Sequence, residues 1–332
     1  GDHRDLHSFP NDALPILMTL LPTPLFFYVL FSFSCLSISS QTKDVLYQKT
    51  LNLIESKKYK KALKTINQVI SEDPSEEYIY KKAQILGYLN EPPKKIIEFI
   101  NPYITQKKTP LLYLERGLNY QFIYRFQDAI LDYSEAINNT KEDSILSLGL
   151  DRRGTLYHHI RKYNLALQDL EKAYALDSNS FSICNNLSIV LDELDQRERA
   201  IKLLKKITAK DSLNYQAIMN LGFIHSNNEQ FEEALLYLNK ALQIKPNDAY
   251  TLSNISFVKL KLGKTDEALT DVNKSIKLNK SNSYAYKNRA LIYIKLNQKN
   301  EACEDLNTAI KYGYSEFYGP EVKELIKKNC LK

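Results

Sequence analysis

Small residues recur in a fixed phase along the chain. Ala62, Ala129, Ala166, Ala200, Ala234, Ala268 and Ala302 share it, the last five standing 34 residues apart. Apolar positions fall around them in a constant order. Residues 215–248 read YQAIMNLGFIHSNNEQFEEALLYLNKALQIKPND; numbered from 1, they put Ile218 at 4, Leu221 at 7, Gly222 at 8, Phe231 at 17, Ala234 at 20, Leu238 at 24, Ala241 at 27 and Pro246 at 32. Positions 4, 7, 8 and 11 share one face of a first helix, and 20, 24 and 27 one face of a second. Small residues at 8 and 20 let the two backbones approach closely. Pro246 ends the second helix because it lacks the N–H for the next bond. No run alternates as a strand does, so the pattern predicts an all-α chain of helix–turn–helix hairpins.

The register extends both ways as eight units: 43–76, 77–109, 110–143, 147–180, 181–214, 215–248, 249–282 and 283–316. Ser144, Ile145 and Leu146 are expected as an insertion in a turn between units. The second unit is one residue short, with Ile96 in place of the alanine and Pro92-Pro93 forcing its turn. This order of bulky residue, Leu-Gly, Ala, bulky residue and closing Pro resembles the tetratricopeptide repeat (TPR), over nearly all of residues 43–316. The resemblance implies a right-handed superhelical solenoid of TPR hairpins. Residues 317–332 then read as a capping helix, with Val322, Leu325 and Ile326 toward the array and Lys323, Glu324, Lys327 and Lys328 outward. Gly313 and Gly319-Pro320 bracket the turn leading into it.

Reverse translation of residues 1–10, and of 11–16 in a second frame, permits DNA that resembles short-read sequencing adapters. Residues 1–17 are therefore set aside as an artefact. Residues 25–38 (LFFYVLFSFSCLSI) match the length of a signal-peptide core, and residues 18–40 are read as a signal peptide with cleavage before Gln41. An uncleaved membrane anchor through 25–38 and a lipid-bearing Cys35 are the alternatives. The expected location is exported, periplasmic or cell-envelope. Net charge is +6, and from residue 251 onward fifteen Lys/Arg face nine Asp/Glu. That excess reads as a solvated surface or as a preference for acidic partners. Cys184 occupies a core position. Cys303 lies in the last second helix and Cys330 at the end of the cap. In an oxidising compartment a Cys303–Cys330 bridge would staple the cap, worth about 3 kcal/mol by loop closure; two separate thiols are the other reading. The tail is similar to those of exported bacterial TPR proteins that carry a terminal cysteine.

A partner surface is sought on positions 2, 6, 9 and 13, which point nearly opposite the core face of the first helix. Position 6 reads Asn186, Asn220, Asn254 and Asn288 in four consecutive units. An amide offers donors and an acceptor to a peptide backbone, and the row resembles the asparagine ladder of TPR superhelices that grip extended peptides. Phe223 and Phe257 at position 9, with Tyr250 and Tyr284 at position 2, would take an apolar side chain. Lys261, Lys287 and Lys295 add positive charge there. The two-carboxylate clamp of chaperone-binding TPR proteins is not matched, since position 5 reads Asp151, Asn185, Met219 and Ser253 before Lys287.

Chemistry is not signalled. No Gly-rich phosphate loop, Gly-x-Ser-x-Gly or Cys-x-x-Cys occurs, and adjacent His158 and His159 diverge by 100° on a helix. No enzyme activity, cofactor or metal is expected. The expected function is a protein–protein scaffold holding an extended peptide along the concave wall. A structural envelope component assembling through its outer faces is the alternative, and a nucleic-acid-binding repeat lacks the basic stripe it needs.

Overall fold

The computed structural model describes residues 36–104 and 109–330. Residues 1–17 lie outside the described residues, as does the proposed signal segment up to residue 35. Every regular element among the described residues is helical, and none of these helices is long and apolar enough to cross a membrane.

Two compact units are present. The first holds α1 (Leu36–Glu55), α2 (Tyr59–Glu72), α3 (Glu76–Tyr88), α4 (Pro93–Ile104), α5 (Pro110–Phe122), α6 (Phe126–Asn139), α7 (Asp143–His159) and α8 (Tyr163–Leu176), apart from residues 159–163, which group with the second. The second unit holds α9 (Phe181–Glu193), α10 (Arg197–Lys210), α11 (Tyr215–Asn227), α12 (Phe231–Ile244), α13 (Ala249–Lys261), α14 (Thr265–Leu278), α15 (Ser283–Lys295), α16 (Lys299–Lys311), α17 (Tyr314–Tyr318) and α18 (Glu321–Asn329). Consecutive helices pair, as α1 does with α2, α5 with α6, α11 with α12 and α15 with α16, and within a unit second helices pack on the next first helix, as α4 does on α5, α10 on α11 and α12 on α13.

The pairing follows from the small residues. All seven phased alanines are fully buried. Ile96 is buried in the alanine's place, and the turn ahead of it carries an extra residue, so Pro93 starts α4. Helix starts are capped at a 34-residue interval: Ser180, Asn214, Asp248 and Asn282 accept from the amides of Ile183, Ala217, Thr251 and Ala285, satisfying donors with no helical partner.

Two features depart from the sequence reading, and a third, at the hairpin turns, lay outside it. Ser144, Ile145 and Leu146 do not form a turn; they lengthen α7 to 17 residues against 13 for α5 and α9. The stretch contains no Gly or Pro, and Asp143 sits favourably on the helix N-terminus, so the cheapest accommodation is one more helical turn. Position 15 of seven hairpins, and position 14 of the short second one, is left-handed, at Lys57, Asn90, Tyr124, Arg161, Asp195, Glu229, Gly263 and Asn297. Only one is glycine. The following amide closes back five residues, as Arg125 N–H does on Tyr120 O at 2.9 Å, and this Schellman bond offsets the cost of positive φ in the others. Finally, the tail is two helices, because Gly319 at φ 98° breaks α17 from α18.

Candidate functional site

In the second unit α9, α11, α13 and α15 touch one another in order and line one side. Position 6 lies at their seams. Asn288 Nδ2 donates to Ser253 O at 3.0 Å and Ser253 Oγ at 3.1 Å. Asn220 Nδ2 donates to Asn185 Oδ1 at 3.4 Å, and Asn254 Nδ2 faces Met219 Sδ at 3.9 Å. Each acceptor is position 5 of the preceding hairpin. This corrects the ladder as read from sequence. Asn288 is 0% exposed and Asn220 7%, so the first is spent on joining α15 to α13 and the second nearly so. Asn186 and Asn254 stay half-buried. On a single helix position 6 points away from the core, but in the array the neighbouring first helix covers a flank of the same stripe.

The other unit uses position 6 in the same way with charges. Arg152 Nη1 donates to Leu114 O at 2.8 Å, and Leu114 is again position 5. Glu115, the preceding position 6, is buried; desolvation raises its carboxyl pKa, opposed by Arg152, Asn119 and Lys81.

Phe223 and Phe257 are half-buried on the lined side, and Lys261 and Lys295 are exposed there. Lys261 Nζ lies 5.3 Å from the Phe257 ring centre. Lys287, only 3% exposed, sits 5.1 Å from Phe257 and 4.7 Å from Tyr284. Burial pushes its amine pKa down, while Glu321, 3.3 Å away, opposes that shift. Tyr250 accepts from Asn279 Nδ2 at 3.4 Å. Tyr284 is not the open aromatic that position 2 suggested. Tyr314 stacks on it at 6.0 Å and Tyr318 meets it edge-on at 5.4 Å, because the short α17 folds over the end of α15. Tyr314 OH donates to Glu321 Oε2 at 2.8 Å, and burial raises the Tyr314 pKa.

The sequence reading missed Tyr314, Tyr318 and Glu321 because it took the tail only as a lid over the last core. Tyrosine at 314 and 318, a helical turn apart just before Gly319-Pro320, is the signal that could have found them. Cys303 and Cys330 are disulfide-bonded, with Cα atoms 5.8 Å apart, which ties α18 to α16 and so holds Glu321 in place. Cys184 is a buried free thiol. Among the described residues no three His, Cys, Asp or Glu side chains are grouped as a metal site.

A tetratricopeptide-repeat family model matches residues 215–248, and a second matches residues 283–312. This is a tetratricopeptide-repeat protein. Comparison with curated protein sequences gives no match. Among solved structures, a TPR protein from Parabacteroides merdae is 16% identical over 86% of this chain and 98% of its own, with a TM-score of 0.60. A chain of the Cut9–Hcn1 hetero-tetramer of the APC/C is 17% identical over 89% of this chain and 57% of its own, at 0.62. A thermophilic TPR protein from Thermus thermophilus is 17% identical over 56% of this chain and 100% of its own, at 0.51. These likenesses establish the fold class, a helical-repeat solenoid. TPR arrays are protein–protein interaction scaffolds, and that is the function class of this chain.

Proposed function

We propose that the TPR protein holds an extended segment of a partner protein along the concave side formed by α9, α11, α13 and α15, without catalysis of its own. The observation that carries this reading is the accessible row of apolar and cationic groups at positions 9 and 13, Phe223, Phe257, Lys261 and Lys295, on helices whose core faces are already filled. Apolar side chains left half-open outside a core favour an interface. Photo-crosslinking tests it. A benzophenone side chain at position 223 or 257 is expected to capture a peptide from an extended-peptide library. The same group at position 236, in place of Leu236 on α12 with 69% exposure, is expected to capture none. Equal yields at all three positions would sink the proposal.

We also propose that the protein is exported, with the mature chain beginning at Gln41. The Cys303–Cys330 bond supports this, since such bonds persist in oxidising compartments. Intact mass of the protein purified from its own cells should match a chain starting there, lighter by two hydrogens than its reduced form. A leader still attached, or two free thiols, would count against export.

A further inference from the structure

Lys287 is a cation whose counter-charge comes from outside its own hairpin. A buried ammonium is costly unless paired. Its carboxylate partner is Glu321 on the cap, whose side chain is 51% exposed. The cap also lays Tyr318, 46% exposed, against Tyr284 at 5.4 Å. The first-helix surface of the last two hairpins is therefore filled by the chain's own aromatic ring and, three residues later, its own carboxylate. Beside that contact the same chemistry continues unfilled: Lys261 rests on Phe257 at 5.3 Å, and neither Lys261 nor Lys295 has a carboxylate partner among the described residues. Position 13 turns from Glu193 through Asn227 to these two lysines along the unit, so an acidic segment gains most at the α13–α15 end.

We propose that α13 and α15 form a binding site for an acidic, aromatic-bearing peptide segment of a partner, and that Tyr318 and Glu321 of the cap are its built-in competitor. The inference rests on the capture reading above and names the class of segment captured and the end at which it is gated. A partner carboxylate reaching Lys287 replaces that of Glu321, and a partner ring replaces Tyr318 on Tyr284. No covalent step is involved, and the disulfide keeps the displaced α18 tethered to α16.

The test uses the full chain and two fluorescein-labelled octapeptides. One has the chain's own sequence from Tyr314 to Glu321 (YSEFYGPE); the other has both glutamates replaced by glutamine. Fluorescence anisotropy should show the acidic peptide binding the Tyr318→Ala/Glu321→Gln protein about tenfold tighter than wild type, a change of about 1.4 kcal/mol. The neutral peptide should gain little. Lys261→Glu with Lys295→Glu, both exposed and outside the core, should remove the gain. Removing Glu321 leaves Lys287 unpaired and can loosen the cap by itself, so the wild type is measured as well. Saturating acidic peptide should speed amide exchange in residues 314–329 if it displaces the cap. Equal affinity for both peptides overturns this inference while leaving general capture intact. No binding and unchanged exchange overturn it too, and crosslinking at position 223 then decides the capture reading separately.

Discussion

Gly222→Val is expected to destabilise the second unit by about 3 kcal/mol, the upper end for overpacking a core. An ideal Cβ on Gly222 would lie 2.6 Å from Leu238 Cγ, 2.8 Å from Leu238 Cδ2 and 3.1 Å from the Leu238 backbone nitrogen. A flexible side-chain end can yield; a backbone nitrogen inside α12 cannot without separating the helices. The chain offers its own control, because position 8 is Gly in some hairpins and Ser188, Ser256 or Ala290 in others, all buried. Those hairpins have already settled around a Cβ, so Ala290→Ser should be tolerated far better. Urea unfolding followed by far-UV circular dichroism reads the difference. Leu238→Ala placed in the Gly222→Val background should restore part of the loss by vacating the colliding atoms. If the valine variant unfolds within about 1 kcal/mol of wild type, the close-approach account of the repeat fails.

That close approach is also why so much of the fold was legible. A small residue required wherever two helices cross leaves a mark on every hairpin, and its partners at positions 4, 7 and 24 follow at fixed distances. Caps such as Asn214 and Asp248 are equally local, each set by the first turn of one helix. What escaped depends on context beyond a single hairpin. The left-handed residues at position 15 carry side chains as different as Tyr124, Asp195 and Glu229, since a backbone bond rather than a residue type fixes them. The asparagine row looked like a ligand ladder because its partner is the preceding helix, 35 residues back; reading position 6 against position 5 of the hairpin before would have exposed the seam. The exposure pattern around the candidate site was legible at Phe257 and Lys261, which lie away from the core face of their own helix. It was not legible at Tyr284 and Lys287, which the cap covers.

A second set of side chains went unread because it breaks the apolar pattern in only some hairpins. Arg116, Arg153 and Arg289 stand at position 7 and pair in two-toothed fashion with Asp132, Asp169 and Asp305 at position 23. The shortest approach of each pair is 2.7 Å. Each arginine also reaches a polar group on the preceding second helix: Asn101, Ser134 and Asn273. One guanidinium therefore binds both helices of its own hairpin and the hairpin before it, geometry that a lysine cannot reproduce.

Asp169→Leu is expected to cost about 3 kcal/mol or more, because it leaves the Arg153 guanidinium unpaired in a site where that side chain is only 19% exposed. The loss is not the worth of the pair. In the fifth hairpin the equivalent positions are Leu187 and Leu203, both buried, so the same architecture closes with two leucines. Arg153→Leu combined with Asp169→Leu should therefore return to within about 1 kcal/mol of wild type, as buried ion pairs replaced by apolar residues of similar volume often do. Ser134 Oγ does not oppose the recovery, since it also donates to Ile130 O at 2.7 Å and stays satisfied without the arginine. Four proteins complete the cycle: wild type, each single variant and the double, unfolded in urea under one set of conditions. A coupling of at least about 2 kcal/mol is expected between the two sites, and more by whatever Arg153→Leu costs alone. A double variant as unstable as Asp169→Leu would mean that the third contact, onto the preceding hairpin, carries the stability. The pair would then be a fastener between hairpins rather than within one.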